Sequence, residues 1–187
     1  MNVLKGAVAA SIAVFAWGFV FWWSQLPYRT LNQVDNANEA EVSSYLQAQF
    51  LHSGVHMFPK PGDDPRNLED FRKKAGSAIT VYRLADEDML PLWGTLLAGF
   101  LRIFVATLLI GWALKLALPG LRDRYSAKVG FIVLIAIGMA IYRNLGDSIW
   151  WYYPWSWSLV KALHDVVAWI IAGLVLSCFI RMHNYRV

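Results

Sequence analysis

Four apolar runs dominate the chain, over residues 3–23, 91–118, 129–146 and 159–180, and a polar block separates the first from the second. A hydrocarbon core about 30 Å thick is crossed by about 20 helical residues. No water is available there, so backbone N–H and C=O groups must bond within their own segment, and each run is expected to be a transmembrane α-helix. The expected fold class is an all-α transmembrane four-helix bundle with a small α+β extramembrane (periplasmic) cap between helices 1 and 2. The expected boundaries are residues 1–26 for helix 1, a signal anchor, and 27–90 for the cap. Helix 2 takes 91–118, a cytoplasmic loop 119–128, and helix 3 129–146. A Trp-rich periplasmic loop takes 147–158, helix 4 159–181, and a cytoplasmic tail 182–187.

Inside the polar block the pattern changes period. Asp35 or Asn36 caps a helix running to about Phe50, with Glu39 completing a capping box three residues after Asn36. Val42, Tyr45, Leu46 and Phe50 fall near one face, and Ser53-Gly54 is expected to end the helix. Val55-His56-Met57-Phe58 reads as a strand stopped by prolines, and residues 78–84 alternate as a second strand. A short helix over residues 68–75 follows Asn67. A two-stranded sheet is marginal alone in water, so the cap is expected to lean on helix ends or on another protein.

Charge supplies a direction. Residues 27–90 hold seven basic and ten acidic side chains. Arg122, Arg124 and Lys128 face a single acid, Asp123, in the loop after helix 2, and Arg181 and Arg186 follow helix 4. The positive-inside rule then puts both termini and the 119–128 loop in the cytoplasm, with the cap outside, as in a bacterial inner membrane. Helix 1 is too long for a cleaved signal and ends in Phe21-Trp22-Trp23-Ser24-Gln25-Leu26-Pro27, with no small-residue cleavage site. Trp22, Trp23, Trp93, Trp150, Trp151, Trp155 and Trp157 all fall at expected outer helix ends, where indoles favour the headgroup zone.

The net charge of +4 is scattered along the chain, so nucleic acid is not an expected partner. The single cysteine, Cys178, allows neither an intrachain disulfide nor a cysteine metal site. His52 and His56 are four apart, but Gly54 interrupts any helix between them, so no metal site and no cofactor is expected. Asp86-Glu87-Asp88 reads as a solvated acidic run before helix 2.

The sharpest candidate chemistry lies inside the membrane. Arg102, Arg143, Asp147, Lys161, His164 and Asp165 form a polar cluster in the outer half of the bundle. Arg102 in helix 2 and Asp165 in helix 4 fall at similar depth and are expected to pair, while Arg143 and Asp147 are four apart at the end of helix 3. A bare charge in hydrocarbon costs about 3 kcal/mol or more, so such groups face the bundle interior. His164 and Asp165 are neighbours whose side chains leave a helix about 100° apart, which argues against a triad with Ser158. Small residues that let helices approach are expected at Ala9, Ala13 and Ala16, at Gly94 and Ala98, at Gly130, Ala136 and Gly138, and at Ala168 and Ala172.

No phosphate loop, dinucleotide fingerprint, zinc-protease helix or nucleophile elbow occurs. The first functional expectation is a non-enzymatic accessory or assembly subunit of a larger membrane complex. The alternative is a lipid- or quinone-binding or transporting protein that uses the polar cluster, and the third is a membrane-embedded enzyme. The expected partners are membrane lipids and other membrane-protein subunits.

Overall fold

The computed structural model describes residues 2–31, 38–58, 78–82, 91–151 and 153–181. It divides into two compact units, Met1–Asn32 with Leu90–Val187, and Gln33–Met89. The first unit holds four helices long and apolar enough to cross a membrane, so the chain has the build of a multi-pass membrane protein.

These helices are α1 (Asn2–Trp23), α3 (Leu92–Leu121), α4 (Tyr125–Ala140) and α6 (Trp155–Phe179). A π-helical segment, Ile141–Leu145, and the short α5 (Gly146–Trp150) continue α4, so the third rod runs over Tyr125–Trp150. Each rod is longer than the apolar run alone. α3 continues through Pro119-Gly120 to Leu121 and stops where Arg122 and Asp123 both take left-handed backbone at φ 50°. The connection expected over residues 119–128 therefore shrinks to 122–124, and the loop expected over 147–158 to 151–154. Polar and aromatic ends add helical turns because a backbone near the interface still gains by bonding to itself.

Lys128 is expected among the loop charges between helices 2 and 3. It is buried, donating to Asp123 Oδ1 at 2.8 Å and to the Ile180 carbonyl at 2.9 Å. It thereby ties the tight turn to the end of α6 and satisfies a carbonyl that the helix itself leaves open.

The helices form a ring in which α1 packs between α3 and α6, and α6 between α1 and α4, while α3 and α4 touch sparsely. Small residues set the close approaches, but on a different stripe from the one expected in α1. Gly6, Ala7, Ala10 and Ser11 are buried, whereas Ala16 is exposed and Ala9 and Ala13 are half-buried. A Cβ at Gly6 would stand 3.0 Å from Phe179 Cβ, and one at Gly111 would stand 3.1 Å from Val3 Cγ1. Thr107 Oγ1 donates to the Ala7 carbonyl at 3.3 Å, joining α3 to α1. Ala136, Ala168 and Ala172 are buried as expected, but Ala98 and Gly138 are exposed. Val3, Ala10, Leu114, Leu118, Ile132, Ala172, Leu176 and Ile180 make the shared core toward the α3–α4 connection.

The third rod buries every fourth residue: Lys128, Ile132, Ala136, Ala140, Asn144 and Ser148. At 3.6 residues per turn such a row drifts by about 40° at each step. The wider π turn at Ile141–Leu145 takes up that drift, so the polar members Asn144 and Ser148 stay on the face toward α6.

In the second unit, α2 (Glu39–Gln49) and an antiparallel pair, β1 (Gly54–Phe58) and β2 (Ala78–Tyr82), are described, with Val55 opposite Val81. α2 follows Asn38, which makes no side-chain cap, and ends at extended Phe50, where the helix is expected to run out. Gly54 opens the strand. The helix over residues 68–75, the capping residues Asp35 and Asn36, and the acidic run Asp86-Glu87-Asp88 lie outside the described residues.

Candidate functional site

Because α3 and α4 touch sparsely, the ring has an open seam between them. A cavity of about 1060 Å³ fills it. Its walls are Gly99–Ile110 of α3 and Ile132–Arg143 of the third rod, and α1 and α6 close the back. Trp22, Trp23 and Tyr28 stand at its Trp-rich end, and Val14, Ile110, Ile132 and Trp169 are among its apolar lining. The volume lies at the upper end of small-molecule sites.

Four ionisable side chains, Arg102, Arg143, His164 and Asp165, also line this cavity. At 1.5 Å per residue, Arg102 stands about 15 Å below the start of α3 and Asp165 about 15 Å below the start of α6. Both line the one cavity. The pairing expected of them does not form. Asp165 accepts from Asn144 Nδ2 at 2.9 Å through Oδ2 and lies 3.1 Å from His164 Nδ1 through Oδ1. Asn144 reaches it because the buried fourth-residue row of the third rod faces α6, whereas Arg102 on α3, expected to face the bundle interior, is exposed. Although His164 and Asp165 are adjacent, their side chains bend toward each other and bond.

The second expected pair also dissolves. Asp147 takes Lys161 of α6 at 2.6 Å, not Arg143. Lys161 Nζ also lies 5.4 Å from the Tyr153 ring and 5.9 Å from the Trp157 ring. Ser148 and Ser158, both buried, bond hydroxyl to hydroxyl at 2.8 Å nearby. The six-residue cluster thus separates into a rim pair, Asp147 with Lys161, and a cavity group of Arg102, Arg143, His164 and Asp165.

His164 sits against an aromatic wall. Its ring lies 4.6 Å from Phe21, 5.5 Å from Trp22 and 6.2 Å from Trp17, and the Trp17 indole donates to the His164 carbonyl at 3.3 Å. Trp22, Trp23, Trp93, Trp150, Trp151 and Trp155 are exposed, and Trp157 is half-buried at 6.1 Å from Trp22. All seven stand at the same end of the bundle, at the carboxyl ends of α1 and α5 and the amino ends of α3 and α6.

His52 and His56 hold no joint site. His56 Nε2 lies 3.0 Å from the His52 carbonyl, and its ring stacks on Phe50 at 4.1 Å. Among the described residues no group of three or more His, Cys, Asp or Glu side chains is placed to hold a metal.

Asn144 and Ser148 are the site residues that sequence reasoning passed over. Their signal was the four-residue spacing from Ile132, Ala136 and Ala140, a buried row on which two polar residues must find partners.

Comparison of the chain with protein-family models, with curated proteins and with solved structures finds no match.

Proposed function

We propose that this membrane protein binds an anionic lipid in the cleft between α3 and α4, with the headgroup against Arg102 and Arg143 and the tail along the apolar lining. The charge balance carries the reading. Outside residues 27–90 the chain has three carboxylates, Asp123, Asp147 and Asp165. Asp123 takes Lys128, Asp147 takes Lys161, and Asp165 takes Asn144 and His164. Arg102 and Arg143 enter no ion pair among the described residues, although Arg143 lies within electrostatic reach of Asp165. One carboxylate facing two guanidiniums leaves the cavity cationic. A guanidinium at this depth calls for an anionic partner, and the bidentate fork of arginine suits a phosphate. The open seam gives such a lipid a lateral way in from the bilayer.

The test is lipid co-purification followed by mass spectrometry of the full chain, with Arg102→Gln and Arg143→Gln as comparison. Enriched acidic lipid in the wild type, lost in the double variant, supports the reading. Acidic lipid at the bulk ratio in both would refute it.

The orientation belongs to the same proposal: a bacterial inner membrane, an uncleaved first helix acting as signal anchor, both termini cytoplasmic and residues 27–90 forming a periplasmic cap. Cysteine labelling would show it. Reagent that reaches residues 122–124 only from the periplasm would reverse it.

A second reading, an accessory or assembly subunit, is favoured by the second unit. Val42, Tyr45, Leu51 and Val55 are exposed there, and α2 buries none of its residues. A protein that co-purifies in mild detergent and is lost on Tyr45→Ser with Leu51→Ser would support it, and a reproducible monomer would count against it.

A further inference from the structure

Binding an anion leaves one group of the cavity unused. The Asp165 carboxylate only accepts hydrogen bonds, so the contact at 3.1 Å puts the imidazole proton on His164 Nδ1. That leaves Nε2 as a bare acceptor, and Nε2 is buried with no hydrogen-bond partner. An acceptor stranded in this way is costly, and native structures seldom leave one without a reason. For the neutral ring the missing partner is therefore a donor. A headgroup that brings its own ammonium is net neutral and leaves the excess guanidinium charge of the cavity uncancelled, which leaves a neutral hydroxyl.

The wall in front of Nε2 has one movable member. Phe21 is buried, and Trp17 is held by its bond to the His164 carbonyl. Trp22 is 39% exposed and lines the cavity. Rotation of its indole would open a path from the cavity to Nε2.

We propose that the cleft selects a phospholipid whose headgroup carries a neutral hydroxyl, as a glycerol headgroup does. Arg102 and Arg143 hold its phosphate, and its hydroxyl donates to His164 Nε2 once Trp22 turns aside. This rests on the anionic-lipid reading, and the two are separable by experiment. The full chain in detergent micelles is titrated with phosphatidylglycerol, phosphatidic acid and phosphatidylethanolamine, and bound lipid is counted by native mass spectrometry. Phosphatidylglycerol is expected to bind about tenfold tighter than phosphatidic acid, the equivalent of about 1.4 kcal/mol, and phosphatidylethanolamine most weakly.

His164→Phe keeps an aromatic ring in the wall and removes the acceptor. It should bring phosphatidylglycerol down to the level of phosphatidic acid and leave phosphatidic acid binding intact, which also reports a folded chain. His164→Gln returns an acceptor oxygen and should restore part of the preference. Equal binding of the two acidic lipids by the wild type, or equal losses of both on His164→Phe and His164→Gln, overturns the hydroxyl assignment. Unchanged acidic-lipid binding in the Arg102→Gln, Arg143→Gln double variant overturns the anion reading instead. Displacement by soluble glycerol phosphate at the same concentration as lipid would show that the tail is not read, and would overturn the lipid class.

Discussion

Replacing Asn144 by leucine tests whether the polar layer is arranged for a ligand or only for the fold. Asn144 is 2% exposed and donates to Asp165 Oδ2 at 2.9 Å. A hydrogen bond to an ionised acceptor is worth about 1.5–3 kcal/mol. The Asp165 side chain is 30% exposed, so its freed oxygen is partly resolvated and the loss falls to about 1.5 kcal/mol or less. Leucine has a similar branched shape and no polar atom to strand, which offsets more of that loss. Stability in detergent should therefore drop by about 1 kcal/mol or less. Binding should suffer more. Asp165, released from Asn144, is free to turn toward Arg143, which already lies within its electrostatic reach. That turn would neutralise one of the two cations offered to the headgroup. A loss of about 1.4 kcal/mol is a tenfold weaker affinity for phosphatidylglycerol. Thermal denaturation and lipid titration on the same preparation separate the two effects. A stability loss above about 2 kcal/mol with unchanged affinity would refute the argument and make Asn144 a structural residue alone.

Three further outcomes follow from the packing. Gly6→Ala should destabilise by about 2 kcal/mol and Gly111→Ala by less, because Phe179 Cβ cannot swing aside whereas Val3 Cγ1 can, while Gly138→Ala meets nothing within 4 Å and should be neutral or stabilising by up to about 1 kcal/mol; thermal unfolding in one detergent ranks the three. Lys128→Met should cost about 2–3 kcal/mol through the buried Ile180 carbonyl it abandons, with faster proteolysis at the end of α6 as the reading. Ser148→Ala and Ser158→Ala should each cost about 1 kcal/mol by stranding the other hydroxyl, and the double variant should cost less than the two together, which a double-mutant cycle of unfolding measures.

Spans were the most legible part of the fold, because the bilayer requirement acts on each segment alone. Helix ends were less so. Helix 2 is expected to end at residue 118, yet α3 runs to Leu121, the turn that ends it is made by two non-glycine residues in left-handed backbone, and Asp123 in that turn is held by buried Lys128. That bond joins residues five apart to a carbonyl 52 residues further on, and no local pattern announces it. The stripe on α1 was misread for a related reason. Ala9, Ala13 and Ala16 are as small as Gly6, Ala7 and Ala10, and only the neighbouring helices decide which set is covered.

The site shows the same division between depth and direction. Counting residues along α3 and α6 puts Arg102 and Asp165 at one level, and both line the same cavity. Choosing partners also needs the azimuth of each helix, and in the third rod the azimuth is altered by a π turn that no residue type signals. With that turn, Asn144 rather than an arginine meets Asp165, and the cations are left facing an open seam. Had the expected pairs formed, both arginines would be cancelled within the chain, Lys161 at the rim would be the cation left over, and the cavity would have no use for a headgroup. The mispairing is thus what separates a bundle that merely fixes its own register from one with an unmet demand for an anion. Supplying that anion from the protein itself is the decisive trial: Met139→Glu, on a cavity-lining position at the end of α4, four residues before Arg143, should stabilise the lipid-free chain and lower phosphatidylglycerol affinity at least tenfold. If it destabilised the lipid-free chain and left affinity untouched, Arg102 and Arg143 would not be awaiting a ligand.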